Sequence, residues 1–181
     1  MRNFIGAIGL CLSVVLLPSG VGLAQNAAQD AAQITAEPHL GAETKLPVPR
    51  YVSLRAGKVN LRRGPGLDYR IDWVFQRAGL PVRIIDEYGH WRRISDSDDA
   101  TGWVYHALLT SRRSALVTEP ELTFRAAPDD HAAPTAYAEQ GVIARLLECA
   151  PDWCRLSADG AEGWVRKSAI WGVDPGEVFG G

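Results

Sequence analysis

The chain has 181 residues, of which 46% are hydrophobic and 22% charged, and its formal net charge is −2. This length accommodates one medium-sized domain or two small ones in which core burial is only marginal. The near-neutral total charge indicates no particular class of partner, so the distribution of charge along the chain is the more informative property.

Residues 1–24 have the features of a secretory signal peptide. Arg2 precedes an apolar run of 14 residues from Phe4 to Leu17, and small residues up to Ala24 supply a peptidase site. This run is short for a helix that crosses a bilayer. We therefore predict cleavage after Ala24 and a periplasmic or secreted protein. An uncleaved signal that anchors the protein in the membrane is the less favoured alternative.

Residues 25–49 are rich in Ala, Gln and Pro and have no stable apolar periodicity. This composition is typical of a disordered linker. We expect the folded part of the protein to begin at residue 50 and to be followed by a short C-terminal tail, residues 174–181.

From residue 50 onward the chain repeats itself at an interval of 61 to 63 residues, which indicates an internal duplication. The predicted domains are residues 50–111 (domain 1) and 112–173 (domain 2). The matched segments are VNLRRGPGLDY (59–69) with LTFRAAPDDHA (122–132), GLPVRIIDEYGHWRRIS (79–95) with GVIARLLECAPDWCRLS (141–157), and TGWVYHALL (101–109) with EGWVRKSAI (162–170).

Each copy has the pattern of short β-strands. Runs such as PVRIIDE and HWRRIS are rich in β-forming residues and are separated by a turn that contains glycine. After the signal peptide, no segment of ten residues shows the apolar periodicity of an α-helix. The HALL and KSAI segments fit single 3₁₀ turns. Five short strands in about 60 residues predict a small, partly open β-barrel for each copy.

The order L-R-x-G-P, G-x-x-V, W-x-x-I and G-W-V resembles the bacterial SH3 domain family, and in particular its exported two-copy members. The resemblance implies an all-β fold of two tandem SH3-like barrels and attachment to peptidoglycan or to protein segments of the cell envelope. Domain 2 departs from the pattern where GPG is replaced by APD. The matching residues are Leu61, Arg62, Gly64, Pro65, Gly79, Val82, Trp91, Ile94, Gly102, Trp103, Val104 and Leu109, and then Phe124, Arg125, Pro128, Gly141, Trp153, Leu156, Gly163, Trp164, Val165 and Ile170.

Cys149 and Cys154 flank a four-residue turn and are predicted to face each other across a hairpin, at a separation that a disulfide spans. An even pair of cysteines in an oxidising compartment favours a disulfide. Domain 1 has Glu87 and Arg92 at the matching positions, and we expect this pair of opposite charge to form a surface ion pair across the same contact. We predict a structural disulfide worth about 2 kcal/mol. A redox centre and a metal site are the less favoured alternatives.

No catalytic motif or cofactor-binding motif is present in the sequence. We therefore predict no enzymatic activity, no cofactor and no metal. A thiol oxidoreductase would require reactive thiols at Cys149 and Cys154. His39, His90, His106 and His131 lack the spacing of metal ligands.

The candidate ligand-binding residues are aromatic and arginine side chains, because SH3-like barrels bind extended segments in an aromatic groove. Trp91 and Trp153 occupy positions that resemble the groove tryptophan of eukaryotic SH3 domains. The structural alternative is that both rings only cover the end of a barrel. The predicted ligand-binding residues are Trp91, Tyr69, Trp73, Tyr105, Arg62, Arg63, Arg93 and Trp153.

Charge separates the two halves, because residues 50–113 carry a net charge of +5 and residues 114–181 carry −6. The basic half suits the carboxylates of an anionic envelope polymer. Alternatively, the two halves dock against each other or against a neighbouring molecule. Nucleic acid is not an expected partner.

The sequence thus predicts an exported, non-enzymatic protein that attaches to peptidoglycan or to peptide segments of the envelope. The main alternative is a structural subunit that docks a partner protein of the envelope and has no affinity for the wall.

Overall fold

The computed structural model describes residues 38–180. Over this range the chain forms sixteen short strands and two single-turn 3₁₀ helices, and it contains no α-helix, so the all-β prediction is confirmed. No helix in residues 38–180 is long and apolar enough to cross a membrane. The predicted signal peptide, residues 25–37 of the predicted linker and residue 181 lie outside the described range.

The last part of the predicted linker is folded, which corrects the expectation of disorder over residues 25–49. Strands β1 (His39–Leu40) and β2 (Pro47–Val48) form an antiparallel hairpin. The Val48 side chain is fully buried in the core of domain 1. The sequence pattern missed this hairpin because its strands are only two residues long and its partners lie about 40 residues further along the chain.

Domain 1 is a single antiparallel sheet of seven strands in the order β5-β4-β8-β7-β6-β3-β9. Alternation along β4 points Val59 and Leu61 into the core and leaves Asn60 and Arg62 half-buried on the other face. The strands are β3 (Arg50–Leu54), β4 (Val59–Arg62), β5 (Ile71–Phe75), β6 (Pro81–Tyr88), β7 (Trp91–Ser95), β8 (Thr101–Tyr105) and β9 (Leu109–Thr110).

Domain 2 repeats this architecture with the order β12-β11-β15-β14-β13-β10-β16, so the prediction of two tandem units is confirmed. Each domain has its own buried apolar cluster. The strands are β10 (Ser114–Val117), β11 (Glu121–Arg125), β12 (Pro134–Glu139), β13 (Ile143–Cys149), β14 (Trp153–Ala158), β15 (Ala161–Arg166) and β16 (Ile170–Trp171).

The 3₁₀ turns predicted in each copy are also present. They are His106–Leu108 in the HALL segment and Lys167–Ala169 in the KSAI segment. The glycine of each G-W-V motif is required by close packing. A Cβ atom at Gly102 would lie 2.6 Å from the Leu61 side chain, and one at Gly163 would lie 2.7 Å from Phe124.

The two domains contact each other directly and belong to one compact unit. The rings of Tyr51 and Trp171 meet edge to face, with centroids 5.1 Å apart. Beside them, Arg83 forms an ion pair of 3.1 Å with Asp174. Burial raises the pKa of the Tyr51 hydroxyl, against the opposing effect of the neighbouring Arg83 charge. Docking of the two halves on each other, one of the alternatives derived from the charge distribution, is therefore present within the chain.

Candidate functional site

An open groove in domain 1 is lined by aromatic side chains. Trp91 begins β7 and pairs across the sheet with Tyr105, at the end of β8. Their ring centroids are 5.6 Å apart and the rings meet edge to face. The groove encloses about 530 Å³, within the range of small-ligand sites. It is lined by Pro65, Leu67, Tyr88, Gly89, His90, Trp91 and Tyr105.

The apolar side chains of this groove are unusually exposed. Leu67 is 74% exposed, Tyr88 64% and Tyr105 38%, whereas Trp91 is half-buried. Large apolar side chains that are exposed side by side are typical of binding surfaces. The groove therefore has the geometry to accept an extended segment that stacks on aromatic rings.

One wall of the groove is a loop that Arg62 holds in place. The Arg62 guanidinium donates hydrogen bonds of 2.8 and 2.7 Å to the carbonyl oxygens of Leu67 and Tyr69. In domain 2, the matching Arg125 donates a bond of 3.0 Å to the Ala132 carbonyl. The structure thus engages Arg62, a predicted ligand contact, with the backbone of its own loop, where it positions the groove wall.

Tyr69 packs on the glycines of the same loop. A Cβ atom at Gly64 would lie 2.4 Å from the Tyr69 ring, so a side chain cannot be accommodated at that position. At the matching positions domain 2 has Ala127 in place of Gly64 and Ala132 in place of Tyr69. The departure from GPG to APD therefore accompanies the loss of the ring that requires glycine.

Three other predicted binding residues lie outside the groove. Trp73 is 59% exposed on the edge strand β5, where it lines a separate shallow depression. Arg63 forms an exposed ion pair of 3.3 Å with Asp72. Arg93 is exposed opposite Trp103 in the sheet register. Their roles in binding remain predictions, and the structure does not bring them together with Trp91 and Tyr105.

The matching groove in domain 2 is closed. Trp153 is only 7% exposed, because the Arg166 guanidinium lies 4.4 Å above the centre of its ring. Asp130 holds this guanidinium through two contacts, one of them a hydrogen bond of 3.1 Å from the Arg166 Nε. Asp130 and Arg166 occupy the positions of Leu67 and Tyr105. An ion pair has thus replaced two exposed apolar side chains.

His90 lines the groove and His106 stacks on it, although neither is among the predicted ligand-binding residues. His90 and His106 stack with ring centroids 5.4 Å apart, and the His106 amide donates a 2.9 Å hydrogen bond to the His90 carbonyl. Partial burial lowers the pKa of His106, as do the nearby charges of Arg92 and His90. The signal was available, because these residues flank the paired Trp91 and Tyr105.

The charged pair beneath the β6–β7 turn is a buried cluster rather than the surface pair that the sequence predicted. The register of Glu87 opposite Arg92 is as predicted, with a separation of 3.6 Å. The Glu87 side chain is fully buried and accepts bonds from Arg50 (2.8 Å), from the Thr44 hydroxyl and amide, and from the Glu43 amide. Burial alone would raise the pKa of Glu87, but these donors hold it at about 2.

The predicted Cys149–Cys154 disulfide is present and buried. The two cysteines pair across β13 and β14 with Cα atoms 4.0 Å apart, and their exposed fractions are 3% and 0%. The Cys149 amide and carbonyl bond to Phe179 instead of Cys154. This leaves the cysteines as a non-hydrogen-bonded pair, the kind in which opposed residues come closest. A structural bond of this kind indicates an extracytoplasmic protein.

Within residues 38–180, no group of three or more His, Cys, Asp or Glu side chains has the geometry to hold a metal ion. Both sulfur atoms of this range are engaged in the buried disulfide.

Comparison with known proteins agrees with the repeat. The family model of the bacterial SH3 domain matches residues 55–110 and 118–172. The chain therefore belongs to the bacterial SH3 domain family, whose members are commonly binding modules. No curated protein matches the chain.

Two solved structures from Trichomonas vaginalis, of NlpC2 and NlpC1, are similar to the chain at 14% identity and a TM-score of 0.31. The matches cover 68% and 72% of this chain. They span 48% of each of those proteins, so the chain covers about half of their length.

Proposed function

We propose that the protein is an exported binding protein whose domain 1 groove attaches it to peptidoglycan or to an extended peptide segment of the cell envelope. The observation that carries this proposal is the contrast between the two copies. Trp91 and Tyr105 lie open in domain 1, whereas Trp153 lies beneath Arg166 in domain 2.

The chemistry of the groove favours stacking over charge. Its rings offer flat apolar surfaces to a peptide or a sugar face. The family supports a binding role, and the burial of Cys149 and Cys154 argues against a thiol oxidoreductase. The predicted signal peptide supports export.

Retention of the protein on purified sacculi tests this proposal. We expect the wild-type protein to be retained and the Tyr105→Ala variant to bind about tenfold more weakly, because one stacked ring contributes on the order of 1–2 kcal/mol. Tyr137→Ala is the matched control, because Tyr137 is an exposed tyrosine of domain 2 that lies outside the groove. Equal retention of the two variants would contradict the proposal.

A second pair of substitutions tests the contrast between the copies. Asp130→Leu combined with Arg166→Tyr restores in domain 2 the residue types of the domain 1 groove. We expect this variant to expose Trp153 and to increase retention on sacculi. Tryptophan fluorescence quenching by acrylamide checks the exposure.

Failure of the wild-type protein to bind sacculi would favour the alternative of a subunit that docks an envelope protein. Cross-linking from the groove in intact cells distinguishes these outcomes. A subunit that docks an envelope protein should give an adduct with that protein, and a protein that attaches to the wall should give an adduct with peptidoglycan.

A further inference from the structure

A cleft between the two domains is lined by residues from both of them and from the connecting segment, residues 111–113, which lies between β9 and β10. It encloses about 510 Å³ and is separate from the aromatic groove. Ser53 and Ser114 meet at this cleft, with their hydroxyl oxygens 2.6 Å apart. Leu54, Ala78 and Ile143 add an apolar part to the lining. The volume lies within the range of sites that bind small molecules.

The cleft collects arginines that have no partner. Residues 38–180 contain fifteen arginines, and eleven of their guanidinium groups donate at least one hydrogen bond to another described residue. Three of the remaining four are Arg55, Arg112 and Arg145, and all three line the cleft. The fourth is Arg93, on the outer face of domain 1. A random scatter of surface charge does not explain this concentration.

Arg113 also lines the cleft, but a carboxylate already neutralises its charge, and the other three arginines have no such partner. Arg113 donates hydrogen bonds of 2.7 and 3.2 Å to the Glu177 carboxylate and one of 2.9 Å to the Gly172 carbonyl. No Asp or Glu side chain lines the cleft to serve Arg55, Arg112 or Arg145 in the same way. Like charges at one cavity repel each other, and the cavity raises the local concentration of anions.

We propose that this cleft binds a small organic anion that carries at least two carboxylate or phosphate groups. Arg55 comes from domain 1, Arg112 from the connecting segment and Arg145 from domain 2, so separate charged groups on the ligand match separate cations. The planar guanidinium fork is suited to both carboxylate and phosphate. Leu54 and Ile143 accommodate the carbon skeleton.

Calorimetric titration of the protein comprising residues 25–181 in a low-salt buffer tests the proposal. Citrate and pyrophosphate are the two probes, and the tighter binder identifies the ligand as a polycarboxylate or a phosphate. We expect saturable binding of at least one probe. Arg55→Gln and Arg145→Gln should each weaken it about tenfold, as expected for loss of a charge-assisted hydrogen bond.

The matched control is Arg70→Gln, which removes the same charge from a surface arginine that pairs with Asp72 far from the cleft lining. Arg70→Gln should leave the affinity unchanged. A second measurement needs no variant, because the amide resonances of Gly79 and Ser114 should shift as the probe is added. Absence of saturable binding, equal weakening by the control, or unchanged resonances at both residues would overturn the proposal.

Discussion

At the scale of single residues, the two domains fill one cross-strand position with different chemistry. Glu87 and Arg92 face each other in domain 1, and Cys149 and Cys154 do so in domain 2. The disulfide closes a loop of about six residues and is worth about 2 kcal/mol on the chain-entropy estimate. The buried ion pair requires further donors to offset its desolvation, and the N-terminal hairpin supplies them. Domain 1 therefore depends on a group that titrates, and domain 2 depends on one that does not.

The first prediction concerns the acid stability of domain 1. The pKa of Glu87 is about 2 in the folded state, below its ordinary value of 4.5. A lowered folded-state pKa stabilises the fold fully above pH 4.5, and this contribution is lost as the pH falls toward 2. Glu87→Gln should lower the free energy of unfolding at neutral pH by up to about 3 kcal/mol and should flatten its dependence on pH in this range.

Urea unfolding measured at several pH values checks this prediction. Glu148→Gln is the control, because Glu148 lies at the matching end of β13 but is partly exposed. Parallel pH profiles for wild type and Glu87→Gln would show that the buried carboxylate makes no contribution.

At the scale of secondary-structure elements, the two ends of the described chain pack on equivalent strands, β6 in domain 1 and β13 in domain 2. The β1–β2 hairpin covers Glu87 near the end of β6. Phe179 forms a β-bridge with Cys149 at the end of β13, the counterpart of β6. A Cβ atom at Gly41 would lie 2.4 Å from the Glu87 carboxylate, so this hairpin fits closely. The N-terminal hairpin and the C-terminal segment are therefore parts of the domains that they cover.

The second prediction concerns the N-terminal hairpin. Removal of residues 25–48 takes away Val48 and the Thr44 donors, which leaves Glu87 buried with fewer partners. We expect this deletion to destabilise domain 1 by about 3 kcal/mol or more. Removal of residues 25–37 alone, which the sequence predicts to be disordered, is the control and should change stability little. Urea unfolding followed by tryptophan fluorescence measures both, and similar midpoints would contradict the prediction.

Local sequence patterns carried most of the information about the elements. Residues close in sequence determine the strand runs, the 3₁₀ turns and the register of Cys149 with Cys154. Because the chain contains two copies, each assignment could be compared with the matching segment of the other copy. The burial of Glu87 was not predictable in this way, because the residues that enclose it come from a hairpin without a periodic pattern.

The candidate site shows the same division. Trp91 was predicted from its resemblance to the groove tryptophan of SH3 domains and Tyr105 from its aromatic side chain, and the structure brings the two rings together. The role of Arg62 was not predicted, because nothing in the sequence shows that a guanidinium turns back onto the carbonyls of its own loop. The closure of the second groove depends on Arg166 and Asp130, which lie 36 residues apart.

At the scale of the whole molecule, the two domains are joined by contacts between opposite charges and between aromatic rings. Arg83 of domain 1 pairs with Asp174, and Arg113 of the connecting segment pairs with Glu177. Arg113 also lies over the rings of Tyr51 and Phe179. The basic first half and the acidic second half thus meet within one molecule, which accounts for part of the charge separation seen in the sequence.

The third prediction concerns this interface. Tyr51→Ala removes the edge-to-face contact with Trp171 and the cation–π contacts with Arg83 and Arg113. Because such contacts contribute about 1 kcal/mol each, we expect the population of undocked domains to rise by roughly tenfold or more. Small-angle X-ray scattering should show a larger radius of gyration at high salt, where the ion pairs are screened. Tyr137→Ala is the control, and equal radii for the two variants would exclude a role for the Tyr51 contacts.

The periodicity of the sequence and the boundaries of the folded units differ in this molecule. The first strand of each sheet, β3 or β10, precedes the segment that the family model matches, and Val48 and Phe179 pack from outside the repeats altogether. A fragment cut at the matched boundaries would lack β3 or β10, the strand that joins β6 to β9 or β13 to β16, and it would also lack part of its own interior. Laboratory fragments and natural recombination of this gene segment should therefore give folded domains only when the cuts lie outside the segments that the family model matches.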